Sequence, residues 1–314
     1  MIFLWFLLFG CFCVAVEAAQ KIDFVDTEFD ADSLEKKGLC SKHEELSSCQ
    51  MQHGTFDLNP FTIVNYQRKI LMEYTPKADC TSAVAMFLEQ VGFRYGIEYT
   101  GWPQFFLEKY YEPHCGRPTV CTYYYEDWYR FKVTRNPYDR AVSSYLYIMK
   151  NPPLSERAIP EDKRENMTFE QFIDHMLTLP EEEMQYYGDG HGGYQSQVYE
   201  RALFQKYQHR KSFFHHIVHI EDPKALVPIR ERFNFTCHLN YMPPHHAVRS
   251  AKERGFVGDV PYDRLKEHIP TDYGQFYDFI LKEKVFRRFY WDIAIYNYSF
   301  PFHIPTQRRR RGTK

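Results

Sequence analysis

Apolar positions along this chain fall into short blocks of two kinds, and their order predicts an α/β architecture. Compact runs rich in apolar and β-branched residues stand at 70–74, 131–134 and 217–220, the lengths expected of buried strands. After them, apolar residues recur at helical spacing. In 81–91, Val84, Phe87, Leu88 and Val91 share a helix face, and a second helical pattern covers 138–149. Thr168 reads as the cap of a helix at 168–177 whose Phe169, Phe172 and Ile173 turn inward. Further helices are predicted over 195–208 and over 273–290, the latter with an aromatic stripe. The proline-rich polar segment 151–166 reads as a loop. The glycine- and tyrosine-rich segment 186–194 reads as mobile cover over a cleft. Strands alternating with helices imply a mostly parallel sheet flanked by helices on both faces.

The two ends of the chain differ from this middle. Residues 1–16 are almost unbroken apolar sequence, shorter than the roughly 20 residues of a membrane span. Val16-Glu17-Ala18 is a small-x-small cleavage pattern, and no Lys or Arg precedes the run. Residues 1–18 therefore read as a cleaved signal peptide, with a retained signal anchor as the alternative. Residues 19–65 are polar and weakly periodic, a stem or N-terminal extension. The folded domain is predicted over 66–300, and 301–314 is a tail carrying Arg308-Arg-Arg-Arg311. That tail is read as solvated, with contact to an anionic glycan or membrane as its alternative. The leader predicts the secretory pathway, either the Golgi lumen or secretion.

Composition adds three points. At 314 residues the chain is long enough for one large α/β domain. Its net charge of −2 provides no field for nucleic acid. Asn166, Asn234 and Asn297 open Asn-x-Ser/Thr triplets, consistent with a lumenal address. Outside the leader stand Cys40, Cys49, Cys80, Cys115, Cys121 and Cys237, an even number suited to an oxidising compartment. The close pairs Cys40/Cys49 and Cys115/Cys121 are candidate disulfides, and the spacings do not match a zinc site.

The chemistry concentrates after two predicted strands. Behind the strand at 70–74 comes Pro76-Lys77-Ala78-Asp79-Cys80-Thr81-Ser82 and then a helix. A loop with a lysine, hydroxyls and a helix N-terminus is a recipe for holding phosphate. The glycine-rich Walker pattern is absent, which disfavours an ordinary ATP or GTP loop. The strand at 131–134 ends at Arg135, a turn follows at Asn136-Pro137, and Ser143 lies two helical turns further on. A guanidinium fork and a hydroxyl so spaced suit a second phosphate. Two phosphate-type loops point to a nucleotide with two separate phosphates.

Both segments resemble the Golgi carbohydrate sulfotransferases, the chondroitin and related glycan-modifying group. Pro76-Lys77-x-x-Cys80-Thr81-Ser82 is similar to the family's 5′-phosphosulfate loop. Arg135-Asn-Pro-x-x-Arg140-x-x-Ser143-x-Tyr145 is similar to its 3′-phosphate motif. His191-x-x-x-Gln195, Ile217-Val-His-Ile-Glu221 and Tyr290-Trp-Asp292 resemble further segments of the group, so the likeness spans roughly 68–298. The loop 249–259 is similar to an R-K-G-x-x-G-D loop of cytosolic sulfotransferases, a charged surface loop being the plainer reading. Asp79 departs from the family, which usually has small residues there.

The resemblance implies a P-loop-like sulfotransferase fold. It also implies transfer of a sulfuryl group from 3′-phosphoadenosine-5′-phosphosulfate (PAPS) to a glycan hydroxyl, without a metal. Lys77 is expected to stabilise charge on the leaving phosphate oxygen. Lys77, Ala78, Cys80, Thr81 and Ser82 are expected to hold the 5′-phosphate, and Arg135 and Ser143 the 3′-phosphate. The acceptor hydroxyl needs a general base. His114 ranks first because it is the only histidine between the two motifs. Glu98 follows, then His191. Two other readings stay open. One is a non-catalytic lumenal binding protein that keeps the fold, for which Asp79 speaks. The other is a nucleotide kinase, against which the missing Walker pattern speaks.

Overall fold

The computed structural model describes residues 61–65, 68–89, 103–111, 128–184, 187–207, 213–222, 224–235 and 255–302. The leader, most of the stem, both candidate disulfides, Cys237, Glu98, His114, the tail from 303 onward and most of the 249–259 loop lie outside these residues.

Among the described residues one four-stranded sheet runs in the order β1-β2-β3-β4. Its strands are β1 (Thr62–Asn65), β2 (Ile70–Glu73), β3 (Tyr129–Thr134) and β4 (His216–His219). The pairs β2–β3 and β3–β4 are parallel, as the alternation predicted, and β1 pairs antiparallel with β2. β1 lies in the segment that reads as stem; its four residues are too short a run to carry a period of their own.

The helices that matter for the site are α1 (Cys80–Glu89), α2 (Pro137–Lys150), α3 (Phe169–Thr178), α4 (Val198–Tyr207), α5 (Val227–Phe233), α6 (Phe279–Arg288) and α7 (Tyr290–Ile295). On one face of the sheet Ile63, Ile70, Met72, Phe131, Val133 and Val218 pack against α1, whose residues 83–88 are all buried. Each such side chain contributes roughly 1.5–3 kcal/mol of transfer free energy. Side chains alternate along a strand, so Leu71 and Glu73 face the other way, where α4 covers the sheet through Tyr199 and Glu200. A separate apolar cluster joins α2, α3 and α6 around Tyr145, Phe172, Phe276 and Leu281.

That second face holds a buried ion cluster. Glu73 and Lys132 are register partners on β2 and β3, and the Lys132 ammonium pairs with both Glu73 and Glu200. Tyr199 donates to Glu73 Oε2 at 2.7 Å and Tyr296 to Glu200 Oε1 at 2.8 Å. Burial requires such pairing, because an unpaired charge there costs several kcal/mol.

Four local expectations need correction. Residues 151–166 are not a loop but carry short helices at Pro152–Ala158 and Glu161–Arg164. The prolines occupy the first turn, where the missing N–H costs nothing. The segment 273–290 is not one helix. A 3₁₀ turn at Tyr273–Phe276 ends, and Asp278 recaps the chain by accepting the Leu281 N–H at 2.8 Å. The helix placed at 195–208 begins at Val198, because residues 195 and 196 are held by Asp292. The strand at 217–220 is one residue early, and only Val218 in it is buried. By contrast, Thr168 caps α3 as expected, within a reciprocal capping box with Gln171.

Candidate functional site

The site is built where β2 and β3 end side by side. In α/β sheets ligands bind outside the carboxyl ends of parallel strands. The loop from β2 runs through Pro76 and Lys77 into α1; the loop from β3 runs through Arg135 and Asn136 into α2. These two loops touch directly: Arg135 Nη1 donates to the Lys77 carbonyl at 3.0 Å. Lys77 and Asp79 both adopt left-handed backbone, φ 68° and 51°. Left-handed backbone is uncommon for a non-glycine residue, Asp being among the more tolerant.

Two sets of bonds brace the loops. Asn136 caps α2 by accepting the Tyr138 N–H at 3.1 Å, and its side-chain amide donates to the Ser299 carbonyl at 2.8 Å. Its backbone N–H donates to Glu221, the acid that closes the segment 217–221. Arg140, fully buried, points back beneath the first loop. It donates through Nε to Pro76 O at 3.1 Å, and through its two terminal nitrogens to the carbonyls of Gly193 and Gly190. Residues 187–194 are therefore not free cover but are pinned by Arg140 and by Ser144, which donates to His191 O. Gly190 has φ 79° and the Phe61 ring lies 2.7 Å from where a Cβ would stand, so a side chain there is excluded.

Lys77 is half-buried, and burial, reinforced by Arg135, Arg140 and Lys150, pushes its ammonium down to about 8. Its Nζ lies 4.1 Å from the centre of the Tyr147 ring. His191 also lies against that ring, stacked at 4.5 Å. Burial lowers the His191 imidazole to about 4, so it is neutral at physiological pH. With Nδ1 bonded to Gly188 O at 3.0 Å, the carbonyl fixes Nδ1–H and leaves Nε2 as the acceptor nitrogen. The structure thus places one of the three candidate bases beside Lys77.

The remaining predicted residues take clear positions. Ala78 is buried and its N–H donates to Thr75 O at 3.0 Å. Cys80 is a free thiol, raised by burial, and Gln104 reaches both its sulfur at 3.7 Å and Thr81 Oγ1 at 3.1 Å. Ser82 donates to the exposed Asp79 at 2.8 Å, which turns that carboxylate toward the first turn of α1. Arg135 is ion-paired with Asp139 one turn along α2. Ser143 lies on α2 and is buried. Asp139, Tyr147 and Gln104 were missed in the sequence. The Arg135/Asp139 spacing of four is a legible signal; nothing in the sequence announces Tyr147 or Gln104.

Among the described residues no cluster of His, Cys, Asp and Glu is arranged to hold a metal ion, and no helix is long and apolar enough to cross a membrane. Comparison with family models, curated proteins and solved structures returned no match.

Proposed function

We propose that this chain is a carbohydrate sulfotransferase that moves a sulfuryl group from PAPS to a glycan hydroxyl in the secretory pathway. The observation that carries this reading is the contact between the two phosphate-type loops, Arg135 Nη1 to Lys77 O at 3.0 Å. Two anion-binding groups on neighbouring parallel strand ends suit a ligand with two separate phosphates. The family resemblance of both motifs points the same way. So do the three sequon asparagines, all exposed and in left-handed turns accessible to a glycan.

In the proposed reaction the acceptor oxygen attacks sulfur in line. The S–O bond to the acceptor forms as the S–O bond to the 5′-phosphate breaks. Lys77 meets the charge developing on that phosphate oxygen. Its lowered proton affinity matches a group held partly out of water. The acceptor proton passes to a base; His191 is neutral and presents Nε2 as an acceptor nitrogen, and its lowered proton affinity, about 4, makes it a weak base. Loop N–H groups with Thr81 and Ser82 hold the 5′-phosphate, and Arg135 with Ser143 holds the 3′-phosphate.

One observation favours a second reading. Arg135 is paired with Asp139, and Asp79 adds another carboxylate to the first loop. On that reading the protein keeps the fold without turnover. The deciding experiment is transfer of labelled sulfate from PAPS to a panel of glycans, beside calorimetric binding of 3′-phosphoadenosine-5′-phosphate. Transfer that Lys77→Ala loses supports the enzyme. Binding without transfer supports the non-catalytic protein, and absence of both overturns the two readings together.

A further inference from the structure

The Lys77 ammonium is half-buried, and among the described residues no carboxylate pairs with it. Burial acts against its charge, and so do the cations Arg135, Arg140 and Lys150. The Cys80 thiol faces it from α1 and favours the charge, but burial holds that thiol protonated. What Nζ meets is the Tyr147 ring, 4.1 Å from the ring centre. A cation within about 6 Å of an aromatic face is attracted by the ring quadrupole, more strongly where water is excluded.

That ring is built into the site. Tyr147 lies on the face of α2 that carries Arg140 and Ser144, seven and three residues earlier. Arg140 holds the carbonyl of Pro76, next to Lys77, and Ser144 holds the carbonyl of His191. One helix face thus fixes both chain segments that meet at the ring. The His191 imidazole stacks on the ring with the two planes 18° apart. Asn151 closes the end of α2 by donating to the Tyr147 carbonyl at 2.6 Å. A carboxylate in the ring's place would compete for the ammonium, as Asp139 does at Arg135. An aromatic face attracts the cation and adds no charge of its own.

We propose that Tyr147 is the positioning residue of Lys77: its ring, braced by His191 and by α2, holds the ammonium at the first loop and leaves it unneutralised for an incoming anion. The inference deepens the transfer reading, on which the identity of that anion as a 5′-phosphate rests. The contact between ring and ammonium does not depend on that reading. It also gives His191 a part that its weak basicity does not, as the backing of the ring that holds Lys77.

The test is acetic anhydride labelling of the full chain from about pH 6 to 10, read by mass spectrometry of the peptide that contains Lys77. It follows the protonation of Lys77 without any nucleotide, and wild type should show a midpoint near 8. Tyr147→Leu keeps apolar bulk but loses the ring. Pentafluorophenylalanine at position 147 keeps the ring's shape and reverses the charge of its face. Both should lower the midpoint by about 0.5–1 in pH. Both should also weaken calorimetric binding of 3′-phosphoadenosine-5′-phosphate by about threefold or more. Tyr147→Phe, which keeps the ring, should retain the wild-type midpoint and affinity. An unshifted midpoint with pentafluorophenylalanine, or Tyr147→Phe as damaging as Tyr147→Leu, overturns the proposal. Nucleotide that fails to bind wild type overturns the transfer reading instead, and the labelling profile still decides the role of Tyr147.

Discussion

The Gln195 side chain clasps the backbone of Arg135. Its Oε1 accepts the Arg135 N–H at 2.8 Å and its Nε2 donates to the Arg135 carbonyl at 2.7 Å. An amide side chain here does the work of a neighbouring strand, continuing the ladder where β3 ends. Gln195 is in turn fixed by Asp292, which accepts the N–H groups of Gln195 at 2.8 Å and Ser196 at 2.7 Å, and the Ser196 hydroxyl at 2.6 Å. Two segments that resembled the family in sequence are therefore parts of one brace behind the second phosphate-type loop.

Replacing Gln195 tests that brace. Gln195→Ala strips both partners from the Arg135 peptide and leaves buried groups unmet, a loss of about 1–3 kcal/mol. Urea unfolding should show it as a lower midpoint, together with weaker nucleotide binding. Gln195→Glu should be at least as harmful, because a carboxylate then faces the Arg135 carbonyl. Unchanged binding in both variants would mean that the brace does not set the loop.

Lys77 is expected to act by charge. Lys77→Ala should cut sulfate transfer by roughly a hundredfold or more while leaving the thermal midpoint within a degree or two of wild type. Its ammonium is held at about 8, below the free value of 10.5. The protonated form is thus full at pH 6 and lost as pH rises through 8. Transfer should fall along the same limb, and a rate flat to pH 10 would exclude a charged Lys77 from the reaction.

Asp139 competes with any anion for Arg135. Asp139→Asn releases the guanidinium and should tighten binding of 3′-phosphoadenosine-5′-phosphate by about threefold to tenfold, the scale of one partly exposed ion pair. Arg135→Ala should abolish tight binding. If Asp139→Asn weakens binding instead, Asp139 orients Arg135 rather than competing for it.

The buried cluster of Glu73, Lys132 and Glu200 predicts a pH-dependent stability. Two carboxylates share one ammonium, and burial raises Glu200 from 4.5 to about 7. A raised folded value means that the fold binds the proton more tightly than the unfolded chain. The associated stability is complete below pH 4.5 and is lost as pH rises through 7. Glu200→Gln should flatten the unfolding midpoint between pH 5 and 8. Lys132→Met leaves two buried carboxylates without their cation and should cost about 3–5 kcal/mol. A wild-type unfolding midpoint that does not move over that pH range would refute a raised Glu200.

Much of the fold was legible because it is local. The three parallel strands, α1, α2 and the Thr168 cap of α3 follow from periodicity and capping chemistry carried by a few adjacent residues. The misread segments failed where local signals conflicted. Pro152 and Pro153 look like breakers yet start a helix, and Asp278 divides a continuous aromatic pattern.

By itself the sequence determined which residues bear charge and hydroxyls after β2 and β3, and hence where anions are to be sought. Only tertiary structure decided how those groups are spent. Arg135 meets Asp139 and the Lys77 carbonyl, Arg140 turns inward to three carbonyls, and the Lys77 ammonium settles over Tyr147. The physical reason is that a side chain's partner is chosen by proximity across strands and helices far apart in the chain. Burial then sets how strongly that partner shifts its charge.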